Sequence, residues 1–156
     1  IGLKTKQQTR GKMGKLFLSI VLFFIINVQA IEYGHFDDGS TPTNDQALAQ
    51  AAAGRKDLKY VAAGKVVVTR LLQDDRSGRA HQKWIVRLSN GKEIMAVYNI
   101  DVANKIPLKV GDEIAVAGEY IADGAGLIHW LHEDPKDRRP DGYVEVNGVR
   151  YGQFLQ

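Results

Sequence analysis

The stretch GLIHWLHEDPKDRRPDG, residues 126 to 142, gathers the side chains best suited to chemistry: His129 and His132 around Trp130, then Asp134 before Pro135, then Arg138 and Arg139. Two imidazoles and a carboxylate can hold zinc or another borderline metal with an open coordination position. Imidazoles alone can move protons near neutral pH. An arginine pair beside His132 can receive a phosphate or a carboxylate. His81 begins a separate apolar run and can meet His132 in space, so the weak metal candidates are His81, His132 and Asp134. The ligand-binding candidates are His81, Asn99, Asp101, His132, Asp134 and Arg138. Each also has a plainer reading: Asp134-Pro135 as a turn, Arg138-Arg139 as a solvated pair, Asn99 and Asp101 as caps of the following loop.

Whether the two histidines act together depends on the element that carries them. Three residues apart, they would share one face of a helix, but the run is short and follows a glycine. It reads as a strand from Leu127 to His132, on which His129 and His132 point opposite ways. His129 then shares its side with Leu127 and Leu131 and is expected to be the buried, structural histidine. His132, leading into the turn, is expected to be the functional one, with His132→Ala leaving stability unchanged.

The elements around this strand are legible from periodicity and turn chemistry. TNDQALAQAAAG offers Thr43 as N-cap, Gln46 to close a capping box and Gly54 as a stop, which predicts a helix over Asn44 to Ala53. From Lys59 the pattern turns to strands: a long β-branched run with Gly64 inside it, where an interior glycine marks a bend, then HQKWIVRL after a polar turn over Asp74 to Gly78. Asn90-Gly91 predicts a two-residue hairpin pairing Trp84 with Val97, Val86 with Met95 and Leu88 with Glu93. The apolar face would then be Trp84, Val86, Leu88, Met95 and Val97. Glu113 to Tyr120 gives a fourth strand. Asn147-Gly148 predicts a second hairpin with Val146 facing Val149, Glu145 facing Arg150 and Val144 facing Tyr151. Together these predict a mainly β fold, a small OB-like antiparallel five-stranded barrel with one short N-terminal helix and a C-terminal β-hairpin; a β-sandwich is the alternative.

Residues 1 to 15 carry five basic residues and no acid, and Leu16 to Val28 is almost wholly apolar. That is a basic n-region and an h-region too short for a span of roughly 20 residues. Residues 1–30 therefore read as a signal peptide with an upstream extension before Met13, with cleavage after Ala30, residues 31–43 as a flexible leader and 44–156 as a single domain. The expected location is periplasmic or secreted, with no span left in the mature chain; an uncleaved anchor is the alternative. The full chain has 21 Lys+Arg against 18 Asp+Glu, but without residues 1–30 the balance is sixteen against eighteen. The mature chain lacks the basic excess that phosphate-backbone binding exploits, so nonspecific nucleic-acid binding is disfavoured.

The chain has no cysteine, which removes disulfides and thiolate chemistry. It also lacks a Gly-rich phosphate loop, a G-x-S-x-G elbow and an H-E-x-x-H helix, leaving dinucleotide, NTP and acyl-serine mechanisms without support.

The segments LLQDDRSGRAHQKWIVRL, YNIDVANKIPLKVGDEIAVAGEY and GLIHWLHEDPKDRRPDGYVEVNGVRYG together resemble domain of unknown function 3465, a family of small exported bacterial proteins. The resemblance spans about Gly64 to Gly152. Where members often carry further histidines this chain has Tyr98 and Glu133, which weakens a metal reading. The resemblance implies the domain and its compartment and assigns no activity. Three functions stay open: a non-enzymatic binding module for a small ligand or oligosaccharide, with its site near His81, His132 and Arg138; a small histidine- or metal-dependent hydrolase acting on phosphodiesters; and an envelope protein-interaction module using exposed strand edges.

Overall fold

The structure is a computed structural model that describes residues 40–155. The expected signal peptide and most of the expected leader lie outside the described residues. No helix among the described residues is long and apolar enough to cross a membrane.

The elements run α1 (Gln46–Gly54), β1 (Leu58–Leu71), β2 (His81–Arg87), β3 (Glu93–Asn99), β4 (Glu113–Ile121), β5 (Leu127–His129), β6 (Tyr143–Val146) and β7 (Val149–Tyr151). Because β1 pairs with both β2 and β4, the order β1-β2-β3-β5-β4 closes on itself as a five-stranded barrel. Among the described residues the expected barrel, one short helix and the C-terminal hairpin are all present. The expectation of a wholly antiparallel barrel is corrected at one seam, where β3 and β5 run parallel through Met95–Leu127 and Ala96–Ile128. Along its second edge, β4 pairs with β5 through its C-terminal half and with β6 through its N-terminal half.

Strand β1 can serve both halves of the barrel because it bends. Its register with β4 shifts between Ala63 and Val66, and Lys65 has a φ of 59°. At Gly64 a Cβ would lie 1.7 Å from the Pro42 carbonyl oxygen, so only glycine lets residues 42–44 cross there. The part of the expected leader that is described is held to the barrel, with the Thr41 hydroxyl donating to Glu145 at 2.5 Å.

The β2–β3 register differs from expectation by one residue: Val86 faces Ile94, Ile85 faces Met95 and Trp84 faces Ala96. Only Gly91 of the Asn90-Gly91 pair has positive φ, and Leu88 N–H donates to Lys92 C=O at 2.9 Å, so the loop holds three residues rather than two. Asn90 is committed elsewhere, donating from Nδ2 to Ala49 C=O in α1 at 2.8 Å. A slip of one residue exchanges the faces of a strand. Ile94, Ala96 and Tyr98 therefore join Trp84, Val86 and Leu88 inside, while Met95 and Val97 face out.

Helix α1 closes the hairpin end of the barrel, with Leu48 fully buried in the core. It starts later than expected, with Asp45 rather than Thr43 at the N-cap position; the Asp45 side chain makes no capping bond, and Asn44 Oδ1 accepts Gln46 N–H at 3.0 Å instead. The Asp45 carboxylate accepts from Ser89 N–H at 2.7 Å and Ser89 Oγ at 2.5 Å, tying helix to hairpin. The opposite end carries the loops after β1, β3 and β5. Inside it, Gln82 brackets Ile106, donating to its carbonyl at 2.8 Å and accepting its N–H at 2.9 Å. Tyr98 donates to Asn104 C=O at 3.1 Å, and burial pushes its phenol up to about 12.

Candidate functional site

At that loop end, on the outer side of the β2-β3-β5 sheet, lies a cavity of about 140 Å³ lined by Arg79, His81, Val97, Asn99, His129, Trp130 and His132. Strand geometry brings most of these together: His81 and Asn99 are direct cross-strand partners on the face opposite Gln82 and Tyr98. Asn99 is buried and accepts Asp101 N–H on Oδ1 at 2.9 Å, while Asp101 accepts Ala80 N–H at 2.8 Å, so the loops before β2 and after β3 are laced together behind the two residues.

The histidine pair is arranged differently from expectation, for two reasons. Ile128 is the inward residue of β5, so His129 faces outward with Leu127 and is half-buried rather than in the core. It stands opposite Glu119, with Nε2 3.3 Å from the carboxylate. The strand then ends early, because Trp130 takes a φ of 56°, an uncommon state for a bulky residue. That turn sends Leu131 into the core and swings His132 back to the side of His129, so both histidines line one cavity.

His132, expected to be replaceable without loss of stability, is only 4% exposed. Its ring packs edge-on to Phe154 at 5.6 Å and to Trp130 at 5.7 Å. Its Nδ1 lies 2.7 Å from the Glu133 carbonyl, which can only accept, so Nδ1 carries a proton. Burial pushes both His129 and His132 below the ordinary imidazole value, against the opposing pull of Glu119 on His129 and of the Glu133 carbonyl on His132.

Asp134 and Arg138 are not in this cavity. Asp134 is 2% exposed and accepts N–H groups of Lys136 and Arg138 at 3.3 and 3.0 Å. It also pairs with Arg138 at 3.3 Å and Arg139 at 3.4 Å. Burial alone would raise its carboxyl, but these hydrogen bonds, led by the Arg138 side chain, hold it at about 2. It organises the turn. Arg139 in turn lies over Trp130, its guanidinium carbon 3.9 Å from the ring centre. The weak metal triad of His81, His132 and Asp134 is thus not assembled, and among the described residues no three His, Cys, Asp or Glu side chains are grouped to hold a metal.

Of the six candidates, the structure brings together His81, Asn99 and His132. Sequence reasoning missed Arg79, Val97, His129 and Trp130 as companions. Period-two alternation could have placed Val97 correctly once the loop length was known, whereas nothing local announces a left-handed tryptophan.

A two-step acid profile is expected. In the folded state His129 and His132 bind protons less readily than in the unfolded chain, so stability should fall as pH drops below the ordinary imidazole value of 6.5. A second loss should come as pH falls from 3.8 towards 2, where the folded state resists protonating Asp134. Urea midpoints between pH 8 and 2.5 measure both, and a flat profile from pH 7.5 to 5 would contradict the burial of the histidines.

A family model described as "Protein of unknown function (DUF3465)" matches residues 33–152. No curated protein and no solved structure matches the chain.

Proposed function

The chain belongs to the DUF3465 family of unknown function, and on that premise we propose that it is an exported bacterial binding module of the OB type. Its site is the cavity formed by Arg79, His81, Asn99, His129, Trp130 and His132. One observation carries the reading: three imidazoles, an amide and a guanidinium converge on the outer β2-β3 side of a closed barrel, the side that barrels of this class use for ligands. Strain supports it, because an aromatic residue at positive φ costs of order 1–3 kcal/mol and such residues cluster at functional sites.

The test is an NMR titration of the mature chain, following the lining side chains against divalent metals, nucleotides and oligosaccharides. Saturable shifts confined to these residues are expected. A panel that leaves them unmoved would remove the cavity as the site and favour a protein-interaction role.

A hydrolase is the second reading, favoured by the 3.3 Å approach of Glu119 to His129, which can orient that imidazole for proton transfer. Turnover of a generic phosphodiester, lost in both His129→Gln and Glu119→Gln, would establish it.

Export to the periplasm or beyond belongs to the same proposal, supported by the basic and apolar character of residues 1–28. Mass spectrometry of envelope fractions should find a mature N-terminus at Ile31. An intact Met13 start in cytosol would contradict it.

A further inference from the structure

The class of ligand can be read from the charges around the cavity, on the premise that this cavity is the binding site. Among the described residues no carboxylate lines it: its charged and titratable lining is Arg79, His81, His129 and His132, with the Asn99 amide beside them. The nearby carboxylates are already engaged. On the loop before β2, Asp75 faces His81 and is paired with Lys83 at 3.7 Å. On β4, Glu119 faces His129 and is paired with Lys59 of β1 at 3.2 Å. In the segment after β5, Asp134 is held by Arg138 and Arg139 as described, Asp141 accepts Asp134 N–H at 2.7 Å, and the Glu133 carboxylate accepts Phe154 N–H at 3.2 Å. On the loop after β3, Asp101 is turned to Ala80 N–H at 2.8 Å.

What is left facing the cavity is positive or able to become so. Arg79 is exposed at its rim, and Arg139, stacked on Trp130, adds a positive field at both His129 and His132. Each imidazole that gains a proton becomes a donor at both nitrogens. A volume of about 140 Å³ suits one compact group and is well below the roughly 300 Å³ at which drug-sized pockets begin.

We infer that the cavity binds a compact oxyanion, a phosphate or carboxylate group, and takes it up together with protons from solvent onto the rings of His129 and His132. An anion among the rings favours their charged forms, and charged rings favour the anion, so the two bindings strengthen each other. Binding therefore tightens on acidification.

Inorganic sulfate is the probe, because its charge is constant between pH 7.5 and pH 5.5; acetate tests the carboxylate, and glucose stands for a neutral sugar. Titrations use the mature chain at constant ionic strength set with NaCl, reading the ring signals of His81, His129 and His132. The expected result is saturable movement with sulfate, an affinity at least about tenfold tighter at pH 5.5 than at 7.5, and a loss of roughly tenfold in Arg79→Ala. Arg79 is exposed, so this variant keeps its fold, which an unchanged amide spectrum verifies. Glucose moving the rings while sulfate and acetate do no more than NaCl would overturn the oxyanion and leave the cavity a binding site. Equal sulfate affinity at both pH values would overturn the proton coupling. If no probe moves the rings, the inference falls together with the reading of the cavity.

Discussion

Trp84→Ala is expected to cost about 3 to 5 kcal/mol, a large part of the stability of a domain of this size. Trp84 is fully buried, lies across from Ala96 on β3 and is among the largest side chains inside the barrel. Its neighbours on that wall, Val86 and Ile94, are held by the closed ladder of strands and cannot move in to refill the space. The indole Nε1 has no hydrogen-bond partner among the described residues, so the side chain contributes through packing and not through a polar contact. Trp84→Phe should consequently lose much less than Trp84→Ala. Guanidinium unfolding with an unchanged m-value measures the difference. A cost under about 1 kcal/mol for the alanine variant would mean that Trp84 is not on the inner face.

Gly142→Ala should be at least as damaging, and at a distance from the core. Gly142 lies where the chain passes between β4 and the segment after β5, donating its N–H to His132 C=O at 3.0 Å. A Cβ there would stand 1.9 Å from Trp130 O, 2.6 Å from Ala117 O and 2.8 Å from His132 N. All three atoms are backbone, so no side chain can swing aside. Overpacking usually costs about 1 to 3 kcal/mol, and contacts this short put the expected loss at or above the top of that range. The displaced atoms belong to Trp130 and His132, so ring signals of the cavity should move along with the melting temperature. Wild-type stability and an unmoved His132 signal in Gly142→Ala would show that Gly142 is not wedged against the backbone of Ala117, Trp130 and His132.

The comparison of the two Asn-Gly hairpins separates local from non-local control. Asn147 and Gly148 both take positive φ, and the pairs Val146–Val149, Glu145–Arg150 and Val144–Tyr151 form as expected, with Arg150 3.2 Å from Glu145. Among the described residues no distant segment crowds Gly148, where an added Cβ would meet nothing within 4 Å. At Asn90-Gly91 the same dipeptide forms a longer loop, because the Asn90 side chain is bonded to Ala49 and Ser89 to Asp45, both in or beside a helix some forty residues earlier. The inner face of β2 was legible, since alternation needs no partner. The inner face of β3 was not, since its offset is set across the loop.

By itself, then, the sequence determined what neighbours along the chain can decide: the helix and its approximate ends, the bend at Gly64, the strand alternation, the second hairpin and the barrel class these imply. Only the tertiary structure decided the site. The parallel β3–β5 seam brings His129 to the sheet that carries His81 and Asn99, and the left-handed turn at Trp130, with Arg139 over its ring, returns His132 to the same side. Registers and a strained backbone angle of this kind are held by packing and hydrogen bonds between segments distant along the chain. Their energies arise only when those segments meet, and for that reason no short stretch of sequence records them.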